Sequence, residues 1–545
     1  MIPQHRRGAP QKSQPTSLPA PVGGINATRA LSAMAPEEAI YMYNLLPRSE
    51  GAQLREGYSE YANGWTGDAS AQTVIPFQGL TPADDRLWVA NRQGIWNVTT
   101  VGTTAPVQDV TFPDLGTGAG ICTFVQYITD ADGAWLLLCD SRNGYYVYKE
   151  STGVWAKPVE GPGTGEIHHV DPNDFNFVMV WKERVFFIER DTGYAWYLDN
   201  GSIYGDATRF NFGRNFRFGG ELRALFNWTL DGGEGLDDYL VALSSAGDVV
   251  VFKGTSPTDF GMVGVWNVGR VPAGSRLGVS YGGELFILSI EGLFPMSQVF
   301  QGAAVQNAQI YLSYKISAFL RNLMKTSIDD FGWQVYLLPN DGGIAIGTPP
   351  VTGKATVQFL YDFSTQAWGI SRDINIANAA NWQGKLYFTD TETNKLWYEN
   401  GVNVDKVHID PVTDGVAQTI TFSILTSYQS LGSPGQYKRM QFLRPMWLGG
   451  GTPVFNIQAR YDFDIQEVLT TQGTAVAGST TSGIWDSASS TWDLVVWGGG
   501  AAQASDNPRG ANGLGRHVAV AMRGQSGEAV TLIGIDVIWD TGGLM

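Results

Sequence analysis

The sequence is poor in cysteine. Its 545 residues include two cysteines, Cys122 and Cys139, whose spacing fits neither a C-x-x-C motif nor a zinc site completed by histidine. We therefore expect two free, buried thiols. The sequence also lacks the run of about 18 apolar residues that a membrane-spanning helix needs. Residues 1–21 contain no apolar segment typical of a secretory signal. Stable insertion into a membrane is not expected.

Charged residues are scarce too, at 16% of the chain against about 25% in an average soluble domain. The 36 lysines and arginines are outnumbered by 52 aspartates and glutamates, which gives a net charge of −16. The longest basic runs are the pairs Arg6-Arg7 and Lys438-Arg439. Proteins that bind the phosphate backbone tightly need many lysine and arginine contacts. The composition therefore argues against tight binding of nucleic acid.

The chain is rich instead in glycine, with 67 residues, and in aromatic residues, at 12%. From about residue 80 to residue 400, one unit recurs roughly seven times: an apolar strand, a polar turn and a second strand that contains aromatic residues. Residues 148–155 (YKESTGVW) and 361–368 (YDFSTQAW) resemble the outer strand of kelch blades. This period predicts an all-β fold with a β-propeller of about six to seven blades. A stack of meanders or a sandwich is the alternative.

Two regions depart from this pattern. Residues 313–325 predict a helix inserted between blades near residues 306–326, with Ser313 as its N-cap, packed against its own domain or against a neighbouring subunit. Its apolar side chains share one helical face: Ile316, Phe319, Leu320 and Leu323. Beyond residue 410, long alternation of apolar and polar residues predicts a C-terminal antiparallel β-sandwich.

We therefore divide the chain into four parts. They are a flexible Pro-rich arm (residues 1–21), an N-terminal assembly segment that docks an adaptor or forms a platform (22–62), the propeller (63–410), and a C-terminal sandwich or platform region (411–545).

The segment at residues 22–61 has the densest turn signals. Gly23-Gly24 predicts a tight turn, and Pro36 before Glu37 and Glu38 predicts the first turn of a short helix. The segment resembles the amino-terminal signature of tail nozzle proteins of short-tailed bacteriophages, the tail tubular protein B or tail hub group. That signature runs GGI, a small helix, an asparagine beside an apolar residue, and EG-x-x-x-R followed by Gly or Pro. The matching residues are Gly23, Gly24, Ile25, Asn44, Leu45, Glu50, Gly51, Leu54, Arg55 and Gly57.

The resemblance implies a non-enzymatic structural protein of the virion tail, assembled in the host cytoplasm. It implies a six-fold ring that binds the head-to-tail adaptor, prolongs the DNA-ejection channel and helps anchor tail fibres or spikes. Phage DNA would pass through without tight binding. The matching residues are then expected at an adaptor or subunit interface, and deletion of residues 1–57 is expected to leave a folded β-protein that no longer joins the tail.

The residues themselves suggest no catalysis. We find no nucleophile–base pattern and no metal-ligand spacing, and therefore assign no catalytic, cofactor or metal residues. The acidic residues 230–238 leave cation binding open. Two alternatives remain. One is a carbohydrate-binding or carbohydrate-cleaving propeller, which as an enzyme would need paired carboxylates about 5–10 Å apart at a propeller mouth. The other is a receptor-binding or spike-adaptor protein of the same virion.

Overall fold

A computed structural model describes most of residues 13–541. Outside the described part lie residues 1–12, 67–70, 101, 103–104, 130–132, 232–235, 303–309, 340–341, 350, 352–355, 391–392, 400, 450–452, 469–473, 476–502, 506–507 and 542–545.

The chain begins with five strands that do not form a unit of their own. These are β1 (Gln14–Pro19), β2 (Ala39–Tyr43), β3 (Leu45–Arg48), β4 (Gly51–Leu54) and β5 (Tyr58–Asn63). The first four belong to sheets of the sandwich and the fifth belongs to the propeller. The expectation of a flexible arm is therefore wrong for residues 14–19, which pair with residues 534–539 near the end of the chain.

In the described residues the propeller follows as seven antiparallel blades in chain order, six of them with four strands and one with three. Blade 6 is part of a ten-stranded sheet that continues into the sandwich. Blades 1 and 2 contain β6 (Thr73–Phe77), β7 (Arg86–Asn91), β8 (Gly94–Asn97), β9 (Val107–Thr111), β10 (Cys122–Thr129), β11 (Gly133–Asp140), β12 (Gly144–Lys149) and β13 (Val154–Ala156). Blade 3, with the short parallel pair β14 and β18 beside it, spans β14 (Ile167–His168), β15 (Phe175–Trp181), β16 (Arg184–Glu189), β17 (Tyr194–Tyr197), β18 (Gly205–Asp206) and β19 (Thr208–Asn211).

The remaining blades complete the ring. Blades 4 and 5 contain β20 (Leu222–Asp231), β21 (Leu236–Ser244), β22 (Asp248–Lys253), β23 (Gly261–Asn267), β24 (Gly278–Tyr281), β25 (Glu284–Ser289) and β26 (Gly292–Pro295). Blades 6 and 7 contain β27 (Gln334–Leu338), β28 (Gly343–Gly347), β29 (Gln358–Asp362), β30 (Ala367–Ser371), β31 (Ile376–Trp382), β32 (Lys385–Asp390) and β33 (Lys395–Glu399).

The ring closes through the N-terminal strand β5. This strand pairs with β33 as the fourth strand of blade 7, from Lys395 opposite Asn63 to Glu399 opposite Tyr58. The first strand of blade 7 lies against the first strand of blade 1. The fold therefore confirms the expected β-propeller. The boundary expected at residue 62 is wrong, because it falls inside the strand that completes the last blade.

The hairpin between the second and third strands uses the same kind of turn in several blades. Asn91, Asp140, Ser244 and Asp390 all lie at or near the end of a second strand, and each side chain accepts a hydrogen bond from a backbone N–H of the following turn. In blades 1 and 7 the same side chain also accepts the indole N–H of Trp96 or Trp397, at 3.0 and 2.8 Å. Polar turns thus satisfy their own backbone groups where apolar strands end.

The expected helix is present next to blade 5, but its cap is different. Two helices lie here, α1 (Met296–Phe300) and α2 (Ser317–Ser327), the second preceded by a 3₁₀ turn (Tyr314–Ile316). Ile316 and Leu320 are buried in the main core of the chain, so this helix packs against its own subunit. Ser313 does not cap the helix. Its hydroxyl accepts the backbone N–H of Leu293 at 2.9 Å instead.

The C-terminal region forms the expected β-sandwich with one short helix, α3 (Pro411–Asp414). Its strands are β34 (Val404–Asp405), β35 (Gln418–Thr426), β36 (Lys438–Gly449), β37 (Val454–Tyr461), β38 (Thr474–Ala475), β39 (Gln503–Ser505), β40 (Arg509–Gly510), β41 (Leu514–Gly515), β42 (Val518–Ser526) and β43 (Val530–Thr541). One sheet is built on β36 and β43, the other on β35, β42 and β37. Trp447 of the first sheet contacts Phe422 and Phe455 of the second, with ring centroids 5.5 and 5.7 Å apart.

Strand β2 connects the sandwich to the propeller. It pairs in antiparallel register with β35 and makes a parallel bridge, Tyr43 to Ile370, with the last strand of blade 6. All five of its residues are buried. The helix expected from Pro36 is absent, since residues 36–38 form a turn that leads straight into β2. The apolar and aromatic sequence AIYMY favours a strand buried between two partners, and this packing overrides the local helix-start signal.

Candidate functional site

The signature residues meet where the propeller joins the sandwich, a region we call the joint. It comprises the turn at Gly24, the β2–β3 corner at Asn44, and the segment from Arg55 to Gly57, together with Asp405. Ile25, Leu45 and Leu54 belong to the main hydrophobic core beside it.

Asn44 is the centre of this joint. Its φ of 58° places it in the left-handed region, which asparagine tolerates better than most residues. Its side-chain amide donates to the carbonyl of Thr421 in β35 at 2.8 Å. Its side-chain oxygen accepts the backbone N–H of Arg372, just after blade 6, at 2.8 Å and the Nε–H of Arg55 at 3.1 Å. One side chain therefore links the sandwich, blade 6 and the segment that leads into blade 7.

Arg55 forms a buried bidentate ion pair. Its Nη1 and Nη2 donate to the two carboxylate oxygens of Asp405 at 2.7 and 2.6 Å. The side chains of Arg55 and Asp405 are 4% and 9% exposed. The pair joins the N-terminal segment to β34 across 350 positions of sequence. In this buried position the two charges stabilise each other, because an isolated buried ion has a high free-energy cost.

Two signature glycines lie where the backbone of another segment passes very close to their Cα atoms. At Gly24, with a φ of +69°, an added Cβ would lie 2.6 Å from the carbonyl oxygen of Trp368. At Gly57 it would lie 1.9 Å from the carbonyl oxygen of Val404. Real Cβ atoms do not approach so closely, so the joint requires glycine at both positions.

The signature residues therefore act inside the subunit. Gly23 is half-buried, Glu50 is exposed, and the other eight are buried. For the eight buried residues the expectation of an adaptor or subunit interface is wrong, because side chains enclosed in their own subunit cannot contact another protein, whereas for Gly23 and Glu50 it stays a prediction. A contact of this region with a partner would have to involve its exposed neighbours.

A second polar cluster lies beside the joint. The Nζ of Lys395 in β33 is 3.0 Å from the buried carboxylate of Glu60, 2.8 Å from the carboxylate of Asp414 and 3.1 Å from Nδ1 of His408. The carboxylates and the imidazole are ligand types that a metal ion could use. The ammonium group, however, lies within hydrogen-bonding distance of all three and already supplies the positive charge. We therefore read the cluster as an ion network that holds residues 408–414 against blade 7.

No local spacing in the sequence indicates Asp405 or this cluster, because Arg55 and Asp405 are 350 positions apart and Glu60 and Lys395 are 335 positions apart. The only signal in the sequence is the type of each residue, which does not identify its partner.

The centre of the propeller is crossed by an arginine. Arg276, which precedes blade 5, donates from Nη2 to the hydroxyl of Thr73 in blade 1 at 3.2 Å and to the carbonyl of Cys122 in blade 2. Burial lowers the pKa of this guanidinium to about 10. Near it, the Asn378 amide donates to Gln334 at 2.8 Å. Arg276 thus links blade 5 to blades 1 and 2, and Asn378 links blade 7 to its neighbour blade 6.

Other candidates from the sequence are ordinary surface or core features. His168 contacts Asp206 at 2.6 Å beside blade 3, and this hydrogen bond lowers the pKa of the Asp206 carboxyl. Cys122 and Cys139 are both buried and free, as expected. The tip of the acidic loop, residues 232–235, lies outside the described residues. In the part of the chain that the structure describes, no helix combines the length and the apolar character needed to cross a bilayer.

Comparisons with known proteins define no family. No family model matches the chain, and no curated protein matches it. Solved structures with partial similarity include the WD40 domain of Neurospora crassa Pan2, 11% identical, covering 61% of this chain and 89% of that one with a TM-score of 0.33. Another is the extracellular domain of the putative hybrid two-component system BT3049 from B. thetaiotaomicron, 12% identical, covering 76% and 55% with a TM-score of 0.38. At such scores these similarities carry no argument about function.

Proposed function

We propose that this protein is the structural subunit of a tail nozzle in a short-tailed bacteriophage. In this proposal six copies form a ring below the head-to-tail adaptor, prolong the channel for ejected DNA and help anchor fibres or spikes. The observation that carries the proposal is the physical role of the signature. Asn44, Arg55, Gly24 and Gly57 all occupy positions where few other residues fit, and such a structural role supports their reading as a signature.

The joint also suits a mechanical role. A buried ion pair, a bridging asparagine and two close backbone approaches fix the propeller relative to the sandwich. A subunit that carries load between an adaptor and a host surface benefits from two domains that do not hinge.

The channel for DNA in this proposal runs between subunits. Arg276 ties blade 5 to blades 1 and 2 by hydrogen bonds, and in this proposal the duplex does not pass through a single propeller. A ring of six copies, each with a net charge of −16, would surround the duplex with an acidic wall. Such a wall repels phosphate and lets DNA slide.

The first prediction concerns assembly. When the purified chain is mixed with the adaptor of the same virus, we expect a complex that contains six copies and shows six-fold symmetry in particle images. A closed ring of identical subunits gives this symmetry. The control is the same mixture with an adaptor from an unrelated virus, which should leave the chain unbound. A chain that ignores its own adaptor would contradict the proposed function.

The second prediction concerns DNA. We expect the assembled ring to bind free duplex more weakly than the roughly 10⁻⁴ to 10⁻⁶ M of ordinary non-specific binders at physiological salt. Fluorescence anisotropy with a short duplex across a salt series measures this, with a basic non-specific DNA-binding protein as positive control. Micromolar affinity that falls steeply with salt would show a basic bore and would exclude passive conduction.

A further inference from the structure

A small cavity lies where the first strands of five blades begin. Residues at or just before the first strands of blades 1, 2, 5, 6 and 7 line it, and they include Gln72, Ser275, Arg276 and Gln334. Its volume is about 20 Å³. A cavity needs roughly 10–15 Å³ to hold a water molecule, so this one has room for a single particle of about that size. The described residues that line it include no aspartate and no glutamate.

Arg276 brings a positive charge to this cavity that no described residue balances. The groups that accept hydrogen bonds from its Nη2, the Thr73 hydroxyl and the Cys122 carbonyl, are both neutral. Its Nε and Nη1 donate to no described residue, and no carboxylate of the described chain pairs with it. With a pKa of about 10, the guanidinium stays protonated at neutral pH. Because a buried charge without a counter-charge is costly, an anion at this position would stabilise the fold.

A buried amide in the cavity wall has a hydrogen-bond donor left over. Gln334 is 3% exposed. The backbone N–H of Val74 donates to the side-chain oxygen of Asn378 at 2.8 Å, so the Asn378 amide nitrogen is turned towards Gln334 and donates to its oxygen at 2.8 Å. This chain of hydrogen bonds fixes the orientation of the Gln334 amide, and its Nε2 finds no acceptor among the described residues. Buried donors are almost always paired, so an acceptor is expected here.

We propose that this cavity binds one small anion, chloride in ordinary solution, with the Arg276 guanidinium and the Gln334 amide as its donors. Chloride supplies the negative charge that Arg276 lacks and accepts hydrogen bonds from both groups. The cavity is too small for anions of several atoms such as sulfate or phosphate. The bound ion stabilises the propeller where the first strands of blades 5 and 6 lie beside those of blades 1, 2 and 7. This inference does not depend on the proposed function.

The test is urea unfolding of the full chain at fixed ionic strength, with chloride replaced stepwise by gluconate, which is too large for the cavity. A ligand that binds only the folded state lowers the unfolding equilibrium constant by up to about tenfold for each tenfold rise in its concentration. We expect this response from the wild type. Arg276→Gln should weaken chloride binding roughly 10-fold or more, the effect of losing a charge-assisted hydrogen bond. Arg321→Gln is the matched control, because this arginine is 45% exposed and paired with Glu291, and it should keep the wild-type response.

A second variant supplies the negative charge from the protein itself. Gln334→Glu keeps the size of the side chain and an oxygen that accepts from Asn378, but it adds a carboxylate to the cavity wall. Its stability should therefore no longer depend on chloride, and this comparison decides the question even if Arg276→Gln fails to fold.

Broadening of the chloride NMR resonance measures binding to the folded protein directly. The wild type and Arg321→Gln should broaden the resonance more than Arg276→Gln and Gln334→Glu do. A wild type that is equally stable in chloride and in gluconate, or a Gln334→Glu variant that keeps the wild-type response to chloride in either measurement, would overturn the inference.

Discussion

Replacement of Arg55 by methionine is expected to lower the free energy of unfolding by about 3–5 kcal/mol. The physical reason is the buried carboxylate that remains. Asp405 is 9% exposed and would lose both of its charge-assisted hydrogen bonds. The Asn44 side-chain oxygen would lose one donor as well. Urea unfolding followed by tryptophan fluorescence measures the effect.

Two further variants test whether the loss of stability comes from the burial of this ion pair or from the loss of any charge. Arg55→Met combined with Asp405→Leu removes both charges, so it should be less destabilising than Arg55→Met alone. Arg142→Met breaks an ion pair with Asp114 in which the side chains are 41% and 44% exposed, and it should cost less than about 1 kcal/mol. Equal losses for Arg55→Met and Arg142→Met would show that burial of the joint is not what makes Arg55 important.

Deletion of residues 1–57 is expected to abolish cooperative folding, in contrast to the folded protein expected from the sequence. The deletion removes β2, which lies between blade 6 and the sandwich, together with β1, β3 and β4 of the sandwich. The large apolar side chains lost from the core include Ile25, Ile40, Tyr41, Met42, Tyr43, Leu45 and Leu54. Each contributes about 1.5–3 kcal/mol on burial, and their sum is comparable to the whole stability of a typical protein, about 5–15 kcal/mol.

Circular dichroism and thermal unfolding of the truncated chain test this expectation. The reference is the full-length chain, and a second variant that lacks only residues 1–12 measures separately what those residues contribute to the melting transition. If the truncated chain from residue 58 melts cooperatively near the wild-type temperature, the N-terminal strands are not required for the stability of the fold.

The repeating parts of this protein could be predicted from local sequence patterns. Strand–turn–strand units such as residues 87–96 depend on contacts between neighbours in the chain, and period-two alternation such as residues 455–461 depends on which face of a strand is buried. The helical stripe around Leu320 follows the same local logic. These local patterns predict the propeller, the inserted helix and the sandwich, and the structure contains all three.

The tertiary structure alone decided how these parts are joined. Local signals at Pro36 favoured a helix, but the residues that follow pair with β35 and contact blade 6, and this burial favours a strand. Tyr58–Asn63 completes blade 7 by pairing with a strand more than 300 residues away. No local pattern indicates such a pairing. The same holds for Arg55 with Asp405 and for Glu60 with Lys395. Periodicity reports on contacts between residues that are close in the chain. These contacts form only when the propeller ring closes, so no short stretch of sequence predicts them.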